Sequence, residues 1–268
     1  MRVARIVLRR LLLAGALFVP ASSRAQIPVP TQPPTPTPLP VLPAVVLPES
    51  LAAFERPNGT LLRSGTLRYQ LSLRKADGQS VPLGARTVVV TDSALGGTPG
   101  WLIAESRTGT VVETTDSVFV ARGDLTPVRW IATIGRAQFG ASFTRDSMYG
   151  AVQSYQGRFS FAVAVPAGTL LSAGMVERVA ELLPLRIGYH AGATLLVVDG
   201  VSPHALGAEL RVDRDERIDV GGRTADCWVL AIDTGALELR LWVDKQSSRV
   251  VRTEQATAEG LLVATLLG

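Results

Sequence analysis

The stretch of sequence that decides the fold is ELRVDRDERIDVGGRTADCWVLAID, residues Glu209–Asp233. Its first half alternates between charged and apolar side chains. The apolar members are Leu210, Val212, Ile218 and Val220. A period of two predicts a β-strand with one wet face. Gly221 and Gly222 then supply the positive φ angles of a tight hairpin turn, and a second strand-like run follows.

The same alternation recurs along the chain, and turn signals separate the repeats. It is clear in TLRYQLSLR (66–74), RFSFAVAV (158–165) and LELRLWVD (237–244). The turns carry glycine in pairs such as Asp77-Gly78 and Thr234-Gly235. Short strands at about ten-residue spacing predict a mainly β fold with roughly ten to twelve strands. We expect one large curved antiparallel sheet, half-barrel or sandwich-like, with one amphipathic helix packed on or in it.

That helix is predicted over Ser172–Leu183, within SAGMVERVAELLP. Apolar residues recur at helical spacing and predict a buried face formed by Met175, Val176, Val179 and Leu183. The opposite, solvent-facing side is predicted to hold Glu177, Arg178 and Glu181. Ser172 is placed to cap the start, and Pro184 to end the helix.

The N-terminal residues predict export and divide the chain into three segments. A basic start, an apolar run and small residues before Gln26 are typical of a secretory signal over residues 1–25, with cleavage near Ala25. Residues 26–50 form a Pro-rich segment that we expect to be a disordered leader. Residues 51–268 are predicted to be a single β-rich domain. The expected location is periplasmic or secreted.

Charge and hydropathy exclude two classes of partner. The formal charge is +4, but the predicted signal contains five arginines and no acid, so cleavage leaves 22 basic and 23 acidic residues. That balance argues against nucleic acid, which requires a concentrated positive field. The apolar run of the signal holds about nine residues, whereas a spanning helix needs ~20. We therefore expect no stable membrane insertion.

No motif predicts catalysis, a metal or a cofactor. The single cysteine, Cys227, lies in a strand-like run beside Trp228, which favours a buried structural thiol. Asp213, Asp215 and Asp219 resemble part of a calcium loop, but the glycine and terminal glutamate of such a loop are missing. Interleaved arginines favour charge pairing instead. We predict no metal site and no cofactor.

Aromatic residues supply the only candidate binding site. If the sheet curls around the helix, an apolar ligand can bind between them. The candidate lining residues are Phe139, Phe143, Phe159, Phe161, Met175 and Val179. Trp242 lies on the polar side of its strand, which predicts either an edge contact or a second buried layer on that face.

Two short segments carry a family resemblance. GALELRLWVDKQSSRVVRTE (235–254) resembles the end of an exported bacterial family, domain of unknown function 3108, whose members close with W-x-D, a turn and V-V-R. LLPLRIGYHA (182–191) is similar to that family's entry from its helix to the next strand. The resemblance implies a curved sheet with a helix at its open end, similar in shape to lipoprotein-localisation carriers. It implies no catalytic residue.

Two functions remain open from the sequence. The first is a non-catalytic interaction or scaffold protein of the cell envelope, whose partner is another envelope protein. The second is a carrier or binder of a lipid or other apolar ligand, held between the curved sheet and the helix. Nothing in the sequence indicates an enzyme, and fold resemblance does not fix function. The oligomeric state stays open.

Overall fold

The computed structural model describes residues 54, 56–109, 113–155, 157–165, 169–171, 174–199 and 202–267. The predicted signal (1–25), the Pro-rich leader (26–50) and the proposed cap Ser172 lie outside these residues. Within them the protein is mainly β, with one α-helix and one short 3-10 helix, Gly59–Leu61. No described helix has the length and apolar character needed to cross a bilayer.

Within the described residues, fifteen strands form one sheet. The first eight are β1 Gly65–Arg74, β2 Ser80–Leu95, β3 Thr98–Thr108, β4 Thr114–Ala121, β5 Pro127–Ile134, β6 Ala137–Phe143, β7 Ser147–Ser154 and β8 Gly157–Ala164. The others are β9 Leu170–Leu171, β10 His190–Asp199, β11 Ser202–Val220, β12 Arg223–Asp233, β13 Glu238–Asp244, β14 Val250–Thr257 and β15 Gly260–Leu266. The helix, α1, spans Gly174–Ala180 between β9 and β10.

The sheet consists of two antiparallel meanders joined by its first and last strands. Their order is β8 to β1, then β15 to β10, with β9 added in parallel to β10 at the edge. β1 and β15 pair from Tyr69↔Leu266 to Arg74↔Leu261. The sheet is therefore continuous through its middle and open at β8 and β9. The predicted mainly β fold with one curved antiparallel sheet and one helix is confirmed.

The sheet curves far enough for both meanders to reach the helix. α1 contacts β3 in the first meander and β13 and β14 in the second. Side chains of both meanders enter one hydrophobic core, which includes Tyr69, Ile103, Leu196, Leu230 and Leu241. The helix lies on the inner face, where this core is formed.

The hairpin between β11 and β12 forms as predicted, but its alternation contains a shift. Gly221 and Gly222 adopt φ angles of 57° and 79°, in the left-handed region that a non-glycine side chain resists. A bulge between Val212 and Arg214 then moves Ile218 and Val220 to the outer face of the sheet. The prediction that they share a face with Leu210 and Val212 is wrong. The extra residue in the bulge exchanges the inner and outer faces for every later side chain of the strand.

The number of strands exceeds the predicted ten to twelve, because some strands do not show the alternating pattern on which that prediction relied. Several strands are buried on both faces and do not alternate in polarity. In β7, five successive residues from Met148 to Val152 are buried. An apolar run of that kind carries no period of two, so sequence alternation does not mark it as a strand.

Candidate functional site

The helix α1 is a buried plug rather than a half-exposed cover. Met175, Val176 and Val179 are buried as predicted. The expected polar face is wrong: Glu177 is 6% exposed and Arg178 is 2% exposed. All seven residues of the helix are buried.

The start of the helix lies close to charged side chains of the sheet. A Cβ on Gly174 would lie 3.2 Å from Glu105 Oε2 and 3.8 Å from Arg86 Nη2. Glycine at this position allows the backbone to approach that pair. The helix is thereby seated against β2 and β3.

Five charged side chains form what we call the ion-pair cluster: Arg86, Glu105, Glu177, Arg178 and Glu181. Arg86 joins the helix to the sheet. Its Nη1 donates to Glu177 Oε1 at 2.5 Å, and its Nη2 donates to Glu105 Oε2 at 2.7 Å. Burial alone would lower the pKa of Arg86, but the two carboxylates hold that pKa above its usual range. Arg86 stays charged.

The C-terminal side of the helix is held by a second set of bonds. Arg178 Nη1 lies 2.9 Å from Glu181 Oε1, and its Nη2 lies 3.3 Å from Glu177 Oε2. The Val250 N–H donates to Glu181 Oε1 at 3.0 Å, and the Tyr69 hydroxyl donates to the Val250 carbonyl at 2.9 Å. Burial raises the pKa of Glu181 to about 7, despite the nearby guanidinium of Arg178. These bonds tie the end of the helical segment to β14, and β14 to β1.

A cavity of about 390 Å³ lies beside the helix, between it and the curved sheet. Its volume falls in the ~300–1,000 Å³ range of small-molecule sites. Both meanders contribute to its largely apolar wall. The apolar lining residues are Leu71, Trp130, Ala132, Ile134, Ala137, Phe139, Val152, Val176, Leu195, Val197, Ile232, Leu237, Leu239, Leu262 and Ala264.

The structure brings together only part of the predicted ligand site. Phe139 lines the cavity and stacks on Phe161, with ring centroids 5.6 Å apart. Phe143 packs against the core, and Phe159 is 41% exposed on the edge strand β8. Met175 and Val179 are buried in the core, and it is Val176 and Glu177 of the helix that line the cavity. The predicted six residues are therefore not one lining set.

One end of the cavity, which we call the polar end, is formed by Arg107, Asp116 and Trp130. Trp130 Nε1 donates to Asp116 Oδ1 at 2.8 Å, and Arg107 Nε donates to Glu105 Oε1 at 2.8 Å. Burial, reinforced by the neighbouring Glu105, raises the pKa of Asp116 to about 7. Burial also opposes ionisation of Glu105, but Arg86 and Arg107 lower its pKa to about 2. Between these two pKa values Glu105 is ionised and the adjacent Asp116 is protonated.

Sequence reasoning missed this polar end and the sheet side of the ion-pair cluster. A signal was present in the strand pattern. Arg86 is in phase with Val88 and Val90, and Glu105 is in phase with Trp101 and Ile103. A charged residue in phase with buried apolar neighbours points into the core, where it needs a partner.

The outer face carries a second, smaller apolar cluster, as one of the two alternatives for Trp242 predicted. Trp242 packs there with Cys227, Val229, Val251 and the displaced residues Ile218 and Val220. Its Nε1 donates to Glu216 Oε2 at 3.3 Å. Cys227 is a buried free thiol, as predicted, and burial raises its pKa to about 12.

The acidic side chains Asp213, Asp215 and Asp219 of β11 are bound by other side chains of the protein. Lys245 Nζ lies 2.6 Å from Asp215 Oδ2, and Arg211 Nε lies 3.2 Å from Asp213 Oδ2. Thr224 donates to Asp219 Oδ1 at 2.9 Å. Among the described residues no group of His, Cys, Asp and Glu side chains is arranged to hold a metal ion.

No protein-family model, curated protein or solved structure matches this chain. The resemblance to the exported family therefore stays a prediction from the two segments that carry it.

Proposed function

We propose that this protein binds a small apolar or amphiphilic molecule in the cavity between the curved sheet and α1, as a non-catalytic carrier. The observation that carries the proposal is the cavity of about 390 Å³ with walls from both meanders. Walls that are mostly apolar, with a small number of polar groups, are typical of small-molecule sites. The exported location predicted from residues 1–25 is part of this proposal and places the carrier outside the cytoplasm.

The fixed helix also supports binding. Arg86 binds Glu177 in the middle of α1, and Glu181, just after the helix, accepts from the Val250 N–H of β14, so the cavity is preformed. A preformed site avoids the ordering cost that a mobile cover adds on binding. A ligand can therefore contact the apolar cavity wall without a large rearrangement of the helix.

Titration with a fluorescent apolar probe, N-phenyl-1-naphthylamine, tests the proposal. The native protein should bind it with saturable enhancement. Ala132→Phe places a ring into the cavity wall and should weaken binding at least tenfold while the protein stays folded. Ala256→Phe is the matched control, because Ala256 is exposed on β14 and does not line the cavity. Absence of saturable binding by the native protein would refute the carrier function.

The edge strand β8 favours a second candidate, the interaction function. Among the described residues β8 pairs only with β7, so one row of its backbone groups is free of the sheet. Phe159 is exposed on this strand. An open edge accepts an extended segment of another protein by strand addition. Ala162→Pro on β8 should abolish capture of an envelope partner while leaving probe binding intact.

A further inference from the structure

Asp116 at the polar end of the cavity lies directly opposite another carboxyl group, that of Glu105 in the ion-pair cluster. Glu105 on β3 pairs with Asp116 on β4, and both side chains point to the inner face. Like charges at directly opposed positions destabilise a sheet. The sheet therefore favours a state in which only one of the two is ionised.

Glu105 is the ionised member, because both of its oxygens accept from guanidinium groups. Oε2 accepts from Arg86 and Oε1 from Arg107. The charges around Asp116 are Glu105 and Arg107 on β3, Arg86 on β2 and Glu177 on α1, with the neutral Trp130 on β5. Arg86 and Arg107 are both bound to Glu105, and Asp116 is buried beside that carboxylate with Trp130 as its donor, so Asp116 carries the exchangeable proton of this end.

Asp116 and Arg107 at this end both have hydrogen-bonding atoms that no described residue uses. Asp116 Oδ1 accepts from Trp130, while Oδ2 has no partner within the part of the chain that the structure describes. Arg107 uses Nε, and its terminal nitrogens have no partner among the same residues, with the side chain 37% exposed. The protonated carboxyl of Asp116 and the guanidinium of Arg107 therefore both present N–H or O–H groups to the cavity.

We infer that the ligand is a single-chain amphiphile with a carboxylate head, which accepts from Arg107 and from the protonated carboxyl of Asp116. This inference rests on the proposed function. The hydrocarbon chain lies against the apolar wall around Phe139, Val152 and Leu239. A carboxylate matches a guanidinium by two parallel hydrogen bonds, whereas a hydroxyl forms one neutral bond. An ammonium head finds no acceptor on Arg107 and is repelled by it.

The inference predicts an order of affinity among amphiphiles of equal chain length. Dodecanoate, dodecanol and dodecylamine are titrated against the protein loaded with N-phenyl-1-naphthylamine, at pH 6 and pH 8. Dodecanoate should displace the probe at least tenfold more tightly than dodecanol at pH 6, and dodecylamine should bind weakest. The difference in affinity between dodecanoate and dodecanol should be smaller at pH 8, because the ionised Asp116 then repels the carboxylate of dodecanoate.

Two variants separate the roles of the two donors. Arg107→Gln should reduce dodecanoate affinity about tenfold or more and leave dodecanol unchanged. Asp116→Asn keeps both an acceptor for Trp130 and an N–H donor for the ligand, so dodecanoate should bind at both pH values with little pH dependence. Arg68→Gln is the matched control, because Arg68 is exposed on β1 and does not line the cavity.

The outcomes distinguish this inference from the proposed function. Probe binding with equal affinity for the three heads, or with dodecylamine preferred, overturns the carboxylate ligand and leaves the carrier function standing. Failure of the probe and of all three amphiphiles to bind overturns both. The head-group comparison uses the native protein alone, so a variant that fails to fold does not remove the test.

Discussion

In the ion-pair cluster each charged group contacts an opposite charge, whereas the polar end of the cavity has donors that no described residue accepts from. Arg86 bridges Glu105 and Glu177 at 2.7 and 2.5 Å, and Arg178 bridges Glu177 and Glu181. Arg107 lies two residues after Glu105 on β3, and Asp116 lies opposite Glu105 on β4. Among the described residues, each uses only part of its hydrogen-bonding capacity. The contrast separates groups that fix the helix from groups that are available to a ligand.

The largest expected loss of stability comes from a charge placed on the apolar side of α1, where no opposite charge is nearby among the described residues. Val179 is 1% exposed on the apolar side of α1. Val179→Asp buries a carboxyl without a partner and should cost on the order of 5 kcal/mol, enough to abolish cooperative unfolding of a marginal domain. Circular dichroism with urea titration measures this. A folded variant of near-native stability would show that α1 opens easily and is not a plug.

Breaking the ion-pair cluster should cost somewhat less. Arg86→Met leaves Glu105 and Glu177 buried without their shared cation, which typically costs about 3–5 kcal/mol. The matched control is Arg240→Met, which removes a surface pair with Glu238 and should cost about 0–1 kcal/mol. Urea midpoints of both variants give the comparison. Equally small losses of unfolding free energy in the two variants would mean that the ion pairs of Arg86 are exposed to solvent.

The pH dependence of stability should reveal the protonated carboxyl at the polar end. The pKa of Asp116 is raised from 3.8 to about 7, so between these values the unfolded state binds fewer protons than the folded state. The free energy of unfolding should therefore fall as pH rises from about 4 to 7, by up to about 1.4 kcal/mol per pH unit from this group.

Asp116→Asn removes that contribution and leaves the one from Glu181, whose pKa is also about 7. Urea titrations at pH 4, 5.5 and 7 should therefore show a shallower fall in the variant. An unchanged slope would show that Asp116 is ionised in the folded protein at acidic pH.

The smallest effect is expected at Arg107. Its side chain is half-exposed, and Glu105 keeps Arg86 as a partner when Arg107 is replaced. Arg107→Gln should cost less than about 1 kcal/mol. Thermal or urea unfolding measures it beside Arg86→Met. A loss as large as that of Arg86→Met would place Arg107 in the ion-pair cluster and remove the distinction between the two groups.

Local sequence patterns predicted the sheet well, because alternation and glycine turns are local properties. They predicted the hairpin at Gly221 and the apolar face of α1. They failed at Glu177 and Arg178, since the residues that bury them include Arg86 and Glu105, far upstream in the chain. Helical periodicity assigns charged residues to solvent and contains no information about partners on another strand.

The site was predicted less completely than the fold. The aromatic residues suggested a ligand, and Phe139 does line the cavity. Arg107 and Asp116 were missed because their role depends on the register of β3 with β4 and on Trp130 of β5. Cross-strand register is set by pairing along the whole sheet, which single-sequence reasoning does not resolve at a bulge or a buried strand.

The pairing of β1 with β15 has a consequence for the folding rate. Leu71 on β1 lies opposite Ala264, almost two hundred residues later in the chain. Contacts at such separation require a large loop-closure entropy before they contribute, so they slow folding. During synthesis β1 has one of its two neighbours missing until β15 emerges. For that time the unpaired edge of β1 is exposed and can bind a chaperone or another unfinished chain.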